Sequence, residues 1–76
     1  MTSLQRLEAG ATGRVMQLGG PRSFRRRLME LGLLPGTQVR VVRRVGVGNL
    51  MEVEVRGCHL SLRASEAADL WVETEA

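Results

Sequence analysis

The chain has 76 residues, one cysteine and a formal net charge of +3. So few residues leave room for one domain over 1–76, and a lone cysteine excludes a fold stapled by internal disulfides. Hydrophobic residues at 43 % and charged residues at 25 % exclude a disordered tail.

Closely spaced Gly and Pro divide the chain into short runs that alternate apolar and polar side chains, the pattern of strands in a small barrel. The first run is Arg14-Val15-Met16-Gln17-Leu18, stopped by Gly19-Gly20-Pro21. The period then changes. Phe24, Leu28 and Leu31 fall at i, i+4 and i+7, one stripe of a helix, which assigns all three to packing. Ser23 is the expected N-cap. Gly32 stands where a left-handed C′ residue ends a helix, with Leu33 folding back on Leu28 and Pro35 blocking continuation. Strands are expected over 38–45, 50–55, 59–63 and 70–73. A short helix at 64–69, capped by Ser65 with Glu66 in its first turn, precedes the last of them. The expected fold is mostly β: a five-stranded SH3-like barrel, one helix inserted after the first strand and a one-turn helix before the last.

Hairpin arithmetic constrains the register. A two-residue turn at Arg56-Gly57 sets Val55 opposite Cys58, Val53 opposite Leu60 and Met51 opposite Leu62, six apolar side chains on the inner face. Cys58 is therefore expected to be buried. If Val41 is to face Val53 inside, the loop through Gly46-Val47-Gly48 needs an odd number of residues. The outer face then carries Arg40 opposite Glu54, with His59 on Glu54's other side.

Few residues suggest chemistry. Cys58 and His59 are the only soft-ligand pair, but neighbours on a strand point to opposite faces. A structural metal site wants about four convergent ligands, so no metal ligand or cofactor is assigned. A nucleophile needs a base and an orienting group, and no such set exists, so no enzymatic activity is expected. Arg25-Arg26-Arg27 begins the helix, where cations oppose the dipole, and its functional reading is an acidic partner. Met29 and Leu34 are nearby apolar residues that neither the stripe nor the cap uses. Arg25, Arg26, Met29 and Leu34 are thus the candidate partner-binding residues.

The run Arg27-Leu28-Met29-Glu30-Leu31-Gly32-Leu33-Leu34-Pro35-Gly36-Thr37 resembles the helix-to-strand segment of the ferrous-iron transport A (FeoA) family, R-L-x-x-L-G-[apolar]-x-P-G. Leu4, Leu7, Gly10, Gly13 and Val15 are similar to its opening L-x-x-L-x-x-G-x-x-G-x-V. Leu60-Ser61-Leu62-Arg63, Glu66-Ala67 and Leu70-Trp71-Val72 are similar to its closing I-x-L-R-x-x-E-A-x-x-I-x-V. One stretch departs: Gly46-Val47-Gly48-Asn49 stands where many members have an acidic-proline turn.

The resemblance implies an SH3-like barrel and a small cytoplasmic accessory protein for FeoB, the membrane ferrous-iron transporter with a G-protein domain. It would tune transport or assembly by protein–protein contact, since no cluster here suits Fe²⁺. The barrel also resembles the C-terminal domain of iron-dependent repressors, but with no helix-turn-helix ahead of it a repressor is not expected. No apolar run approaches the ~18–20 residues of a membrane span, and Met1–Glu8 lacks the apolar core of a signal peptide. The alternative from another class is an Arg-rich nucleic-acid-binding barrel using Arg25, Arg26, Arg27, Arg43 and Arg44. Only Phe24 and Trp71 are aromatic, too few for a base-stacking platform.

Overall fold

Six strands and two α-helices make up the computed structural model, which describes residues 1–46 and 49–74. They are β1 (Thr2–Ser3), β2 (Thr12–Leu18), α1 (Arg22–Glu30), β3 (Gln38–Val45), β4 (Leu50–Val55), β5 (Cys58–Arg63), α2 (Ala64–Ala67) and β6 (Leu70–Thr74), with a 3-10 turn at Leu4–Arg6. They form one antiparallel sheet in the order β1-β6-β2-β3-β4-β5. The alternating runs are the strands, so the mostly β, SH3-like fold stands. The order is open, ending at β1 and β5.

The count of five strands is corrected to six. β1 pairs Thr2 with Val72 and Ser3 with Trp71, and the turn after it sends Leu4 and Leu7 into the core. A two-residue strand is too short to show a period, which is why alternation did not reveal it. The remaining core comes from inward positions of the longer strands: Val15, Val39, Val41, Met51, Val53, Val55, Leu62, Leu70 and Val72. Leu28 and Leu33 add to it from α1 and its exit. Burying each such aliphatic side chain contributes about 1.5–3 kcal/mol, and these contacts hold β2, β3, β4 and β6 around one centre.

The β4–β5 hairpin has the expected register, Val55 with Cys58, Val53 with Leu60 and Met51 with Leu62. Arg56 (φ 52°) and Gly57 (φ 80°) are both left-handed, as a type I′ turn requires. The β3–β4 register is reached differently. Val41 does face Val53, but a bulge at Val42 shifts the ladder so that Val45 pairs with Leu50, which corrects the odd-loop expectation. The extra residue needed for parity sits in the strand rather than the turn. Val47 and Gly48 of the expected loop lie outside the described residues.

The cysteine expectation is also corrected: Cys58 is exposed. Its register is right, but it begins β5, a terminal strand of the sheet, where its side chain stays exposed. Iodoacetamide should therefore modify Cys58 in the native protein about as fast as in denaturant, followed by mass spectrometry. Marked native protection would show that something covers that end of β5.

Candidate functional site

Helix α1 positions the candidate residues, and its ends differ from expectation in instructive ways. Pro21, with extended backbone (φ −61°, ψ 152°), is the N-cap instead of Ser23, and no side chain caps the helix. Proline's fixed φ suits that entry, and Ser23 lies inside the first turn. At the other end Gly32 is left-handed (φ 100°). The Leu33 N–H donates to the Leu28 carbonyl at 2.9 Å and the Gly32 N–H to that of Met29 at 3.1 Å. This is the expected Schellman ending. Leu31 is its C-cap and is 46 % exposed, so its assignment to packing is corrected. The chain reverses there, and Leu33 takes the place in the core that the stripe gave to Leu31.

Leu28 is the one fully buried side chain of α1, and Phe24 is half-buried. The second attachment is polar. Arg27 Nη2 donates to Glu66 Oε2 at 2.6 Å, and the Arg27 guanidinium lies 5.7 Å from the centre of the Phe24 ring. Glu66 Oε1 accepts the backbone N–H of Arg63 at 2.9 Å. Arg63, not Ser65, is thus the N-cap of α2, and Glu66 closes the turn from its third position. Sequence reading missed this pair, because nothing local joins residues 39 positions apart.

The Arg63 N–H, and then the Arg27 guanidinium, hold the Glu66 carboxyl below its ordinary range against the opposing effect of burial. A carboxyl whose folded value is lowered stabilises fully above its unfolded value of about 4.3, and that gain is lost as pH falls through the folded value. Thermal melts should therefore decline below pH ~4.3, and Glu66→Gln should flatten that decline. An identical acid slope in the variant would assign the loss to other carboxylates.

The outward face of α1 carries Arg22, Arg25, Arg26 and Met29 along one open groove that Arg27 also lines, with Glu30 at its end. Arg26 Nε stands 3.3 Å from Glu30 Oε1, but both side chains are largely exposed and such a pair contributes little. Arg25 is half-buried, and its Nε is withdrawn from solvent with no hydrogen-bond partner. Met29 is 41 % exposed. Leu34, at 40 %, lines a different depression with Pro35, Thr37 and Arg56. The fold therefore brings Arg25, Arg26 and Met29 together and sets Leu34 apart, beyond the helix exit.

Three arginines of β3 are committed to the fold. Arg40 Nη2 donates to Glu54 at 2.8 Å, with His59 Nε2 at 3.4 Å on the same carboxylate's other oxygen. This is the expected outer-face row. Arg43 Nη2 donates to Glu52 at 2.9 Å, and the guanidinium beside each of Glu52 and Glu54 lowers its carboxyl. Arg44 donates to the backbone carbonyls of Gln5 and Leu7, tying the N-terminal turn to β3. Among the described residues no three His, Cys, Asp or Glu side chains converge on a point suited to a metal ion.

The chain thus sets one helix after β2, a Schellman exit at Gly32 and a Glu66-closed turn before β6. The family model for the FeoA domain fits residues 2–74. The chain belongs to the FeoA family. The solution structure of the FeoA protein from Chlorobium tepidum is similar, with 35 % identity and a TM-score of 0.93 over 99 % of this chain and 71 % of that one. The FeoA-like protein from Clostridium acetobutylicum has 30 % identity and a TM-score of 0.85, over 96 % of this chain and 85 % of that one. A manganese-dependent transcriptional repressor shares the fold alone, at 20 % identity and a TM-score of 0.90 over 97 % of this chain and 41 % of that one. FeoA membership links the chain to ferrous-iron uptake. Among the described residues no helix is long and apolar enough to cross a membrane.

Proposed function

We propose that this FeoA-family chain is a cytoplasmic, non-enzymatic accessory protein that acts on the cytoplasmic portion of a FeoB-type ferrous-iron transporter by protein–protein contact. The observation that carries this reading is the division of labour along α1 and its exit. Leu28 and Leu33 are spent on the core, while Arg25, Met29 and Leu34 line open surface depressions and Arg26 makes only an exposed pair with Glu30. An accessory protein tunes transport or assembly through such a surface, and no cluster of ligands is needed for that role. The nucleic-acid reading is weaker, because Arg27, Arg43 and Arg44 are engaged by Glu66, Glu52 and backbone carbonyls.

The test is binding to the transporter's cytoplasmic portion together with iron uptake in cells. Leu34→Ala should change stability by about 0.5 kcal/mol or less yet weaken binding through faster dissociation. Reversal of Arg25 and Arg26 to Glu should act through association rate and salt sensitivity. Thermal stability is measured first. If both variants fold, bind and support uptake like the parent, the contact lies elsewhere, with the Arg40, Glu54 and His59 face next to test.

A further inference from the structure

The chain's charge is distributed unevenly. Helix α1 holds four arginines and one glutamate, while the rest of the chain carries seven residues of each sign. The entire net charge of +3 therefore sits on nine residues, a helix about 14 Å long. Arg27 is drawn to Glu66 and Arg26 leans on Glu30. Arg22 and Arg25 have no ion-pair partner among the described residues, and Arg25 Nε lacks any acceptor. No acidic residue stands in the first turn of the helix. An incoming carboxylate can meet the part of the Arg25 side chain that still reaches solvent, and a first turn with cations and no acid attracts it.

We propose that the outer face of α1 docks a short carboxylate-rich polypeptide segment, its acids on Arg22 and Arg25 and an apolar side chain on Met29. This rests on the protein–protein reading above and specifies the chemistry of the partner's surface. Charge complementarity selects an acidic occupant, and two features select a polypeptide among acidic ones. The positive region is too short to follow a phosphate backbone, because beyond α1 the two signs are equal in number and Arg40, Arg43 and Arg44 are already engaged. Met29 and Glu30 follow the cations at one end of the helix with an apolar contact and a repulsive charge, an arrangement that side chains can match and a run of phosphates cannot.

The proposal is tested on the full chain by NMR titration, following backbone amides and the Arg Nε–H signals. The probe is a short glutamate-rich peptide carrying one leucine, compared with its glutamine counterpart, inorganic phosphate, a duplex DNA oligonucleotide and phosphatidylglycerol vesicles. The glutamate peptide should shift the amides of 22–29 and the Arg25 Nε–H, and the other probes should leave them in place at equal concentration. Affinity should fall about tenfold or more in Arg22→Glu/Arg25→Glu, fall less in Arg22→Gln/Arg25→Gln, and hold in Arg43→Glu. Shifts that map elsewhere, an unchanged affinity in the charge-reversed variant, or equal shifts with phosphate, DNA or vesicles would overturn it. Failure of the two readings is separable. Peptide bound on α1 with an inert transporter fragment supports this inference and removes the transporter. A fragment that binds Arg22→Glu/Arg25→Glu as well as the parent removes this inference and keeps the transporter.

Discussion

Leu28→Ala is expected to leave little folded protein at room temperature, whereas Leu31→Ala should melt close to the parent. Leu28 is fully buried and is the sole deep anchor of α1. Truncating such a leucine costs about 2–5 kcal/mol in lost burial and residual cavity. The total stability of a chain this size is about 5 kcal/mol or so, so the loss is comparable with everything that holds the fold. Leu31 is 46 % exposed at the C-cap, and its truncation removes surface contacts only. Far-ultraviolet circular dichroism through a urea titration distinguishes the two. Equal destabilisation would mean that Leu31 packs on the β4–β5 side of the barrel more closely than its exposure indicates.

Gly13→Ala should be the second most damaging change, and it acts by crowding rather than by a void. Gly13 is buried in β2 between β3 and β6, paired with Val39 on one side and Thr74 on the other. A Cβ there would stand 3.2 Å from both Cβ and Cγ2 of Val72 and 3.3 Å from the Glu73 carbonyl oxygen. Val72 is itself fully buried and cannot retreat into solvent. Overpacking of this kind costs about 1–3 kcal/mol. Gly46→Ala is the control, since a Cβ at Gly46 meets nothing within 4 Å. A denaturation midpoint for Gly13→Ala equal to that of Gly46→Ala would show that β2 and β6 can separate at little cost.

The features legible in the sequence were those with a local period or a local stop. Alternation located β3 and β4 to the residue, and the pairing of Val55 with Cys58 followed from the Arg56-Gly57 turn alone. Gly32 announced the end of α1 because only a residue free of a Cβ penalty adopts φ near 100° without strain. What escaped was non-local or too short to repeat. β1 has two residues, the bulge at Val42 mimics an odd loop, and Arg27 finds Glu66 only once the barrel has formed. Exposure at the margins escaped too. Leu31 and Cys58 occupy inward-type positions, but one lies past the last helical turn and the other on a terminal strand, where the pattern continues and the core does not. For the candidate surface, the sequence supplied Arg25, Arg26 and Met29 as neighbours along one helix. It had no means of showing that Leu34 lines a separate depression or that Arg22 joins the groove.

The slender attachment of α1 has a dynamic consequence. The strands share a continuous ladder and a common core, whereas α1 is fastened by one buried leucine, a half-buried phenylalanine and an ion pair at 2.6 Å. Amide hydrogen exchange should therefore proceed through two distinct openings, a low-energy one that frees the amides of α1 and a global one that frees those of β2 and β3. The helix can then lift or tilt while the ladder stays closed. An engaged partner would appear as slowed exchange in α1 alone, with the protection of the strands unchanged.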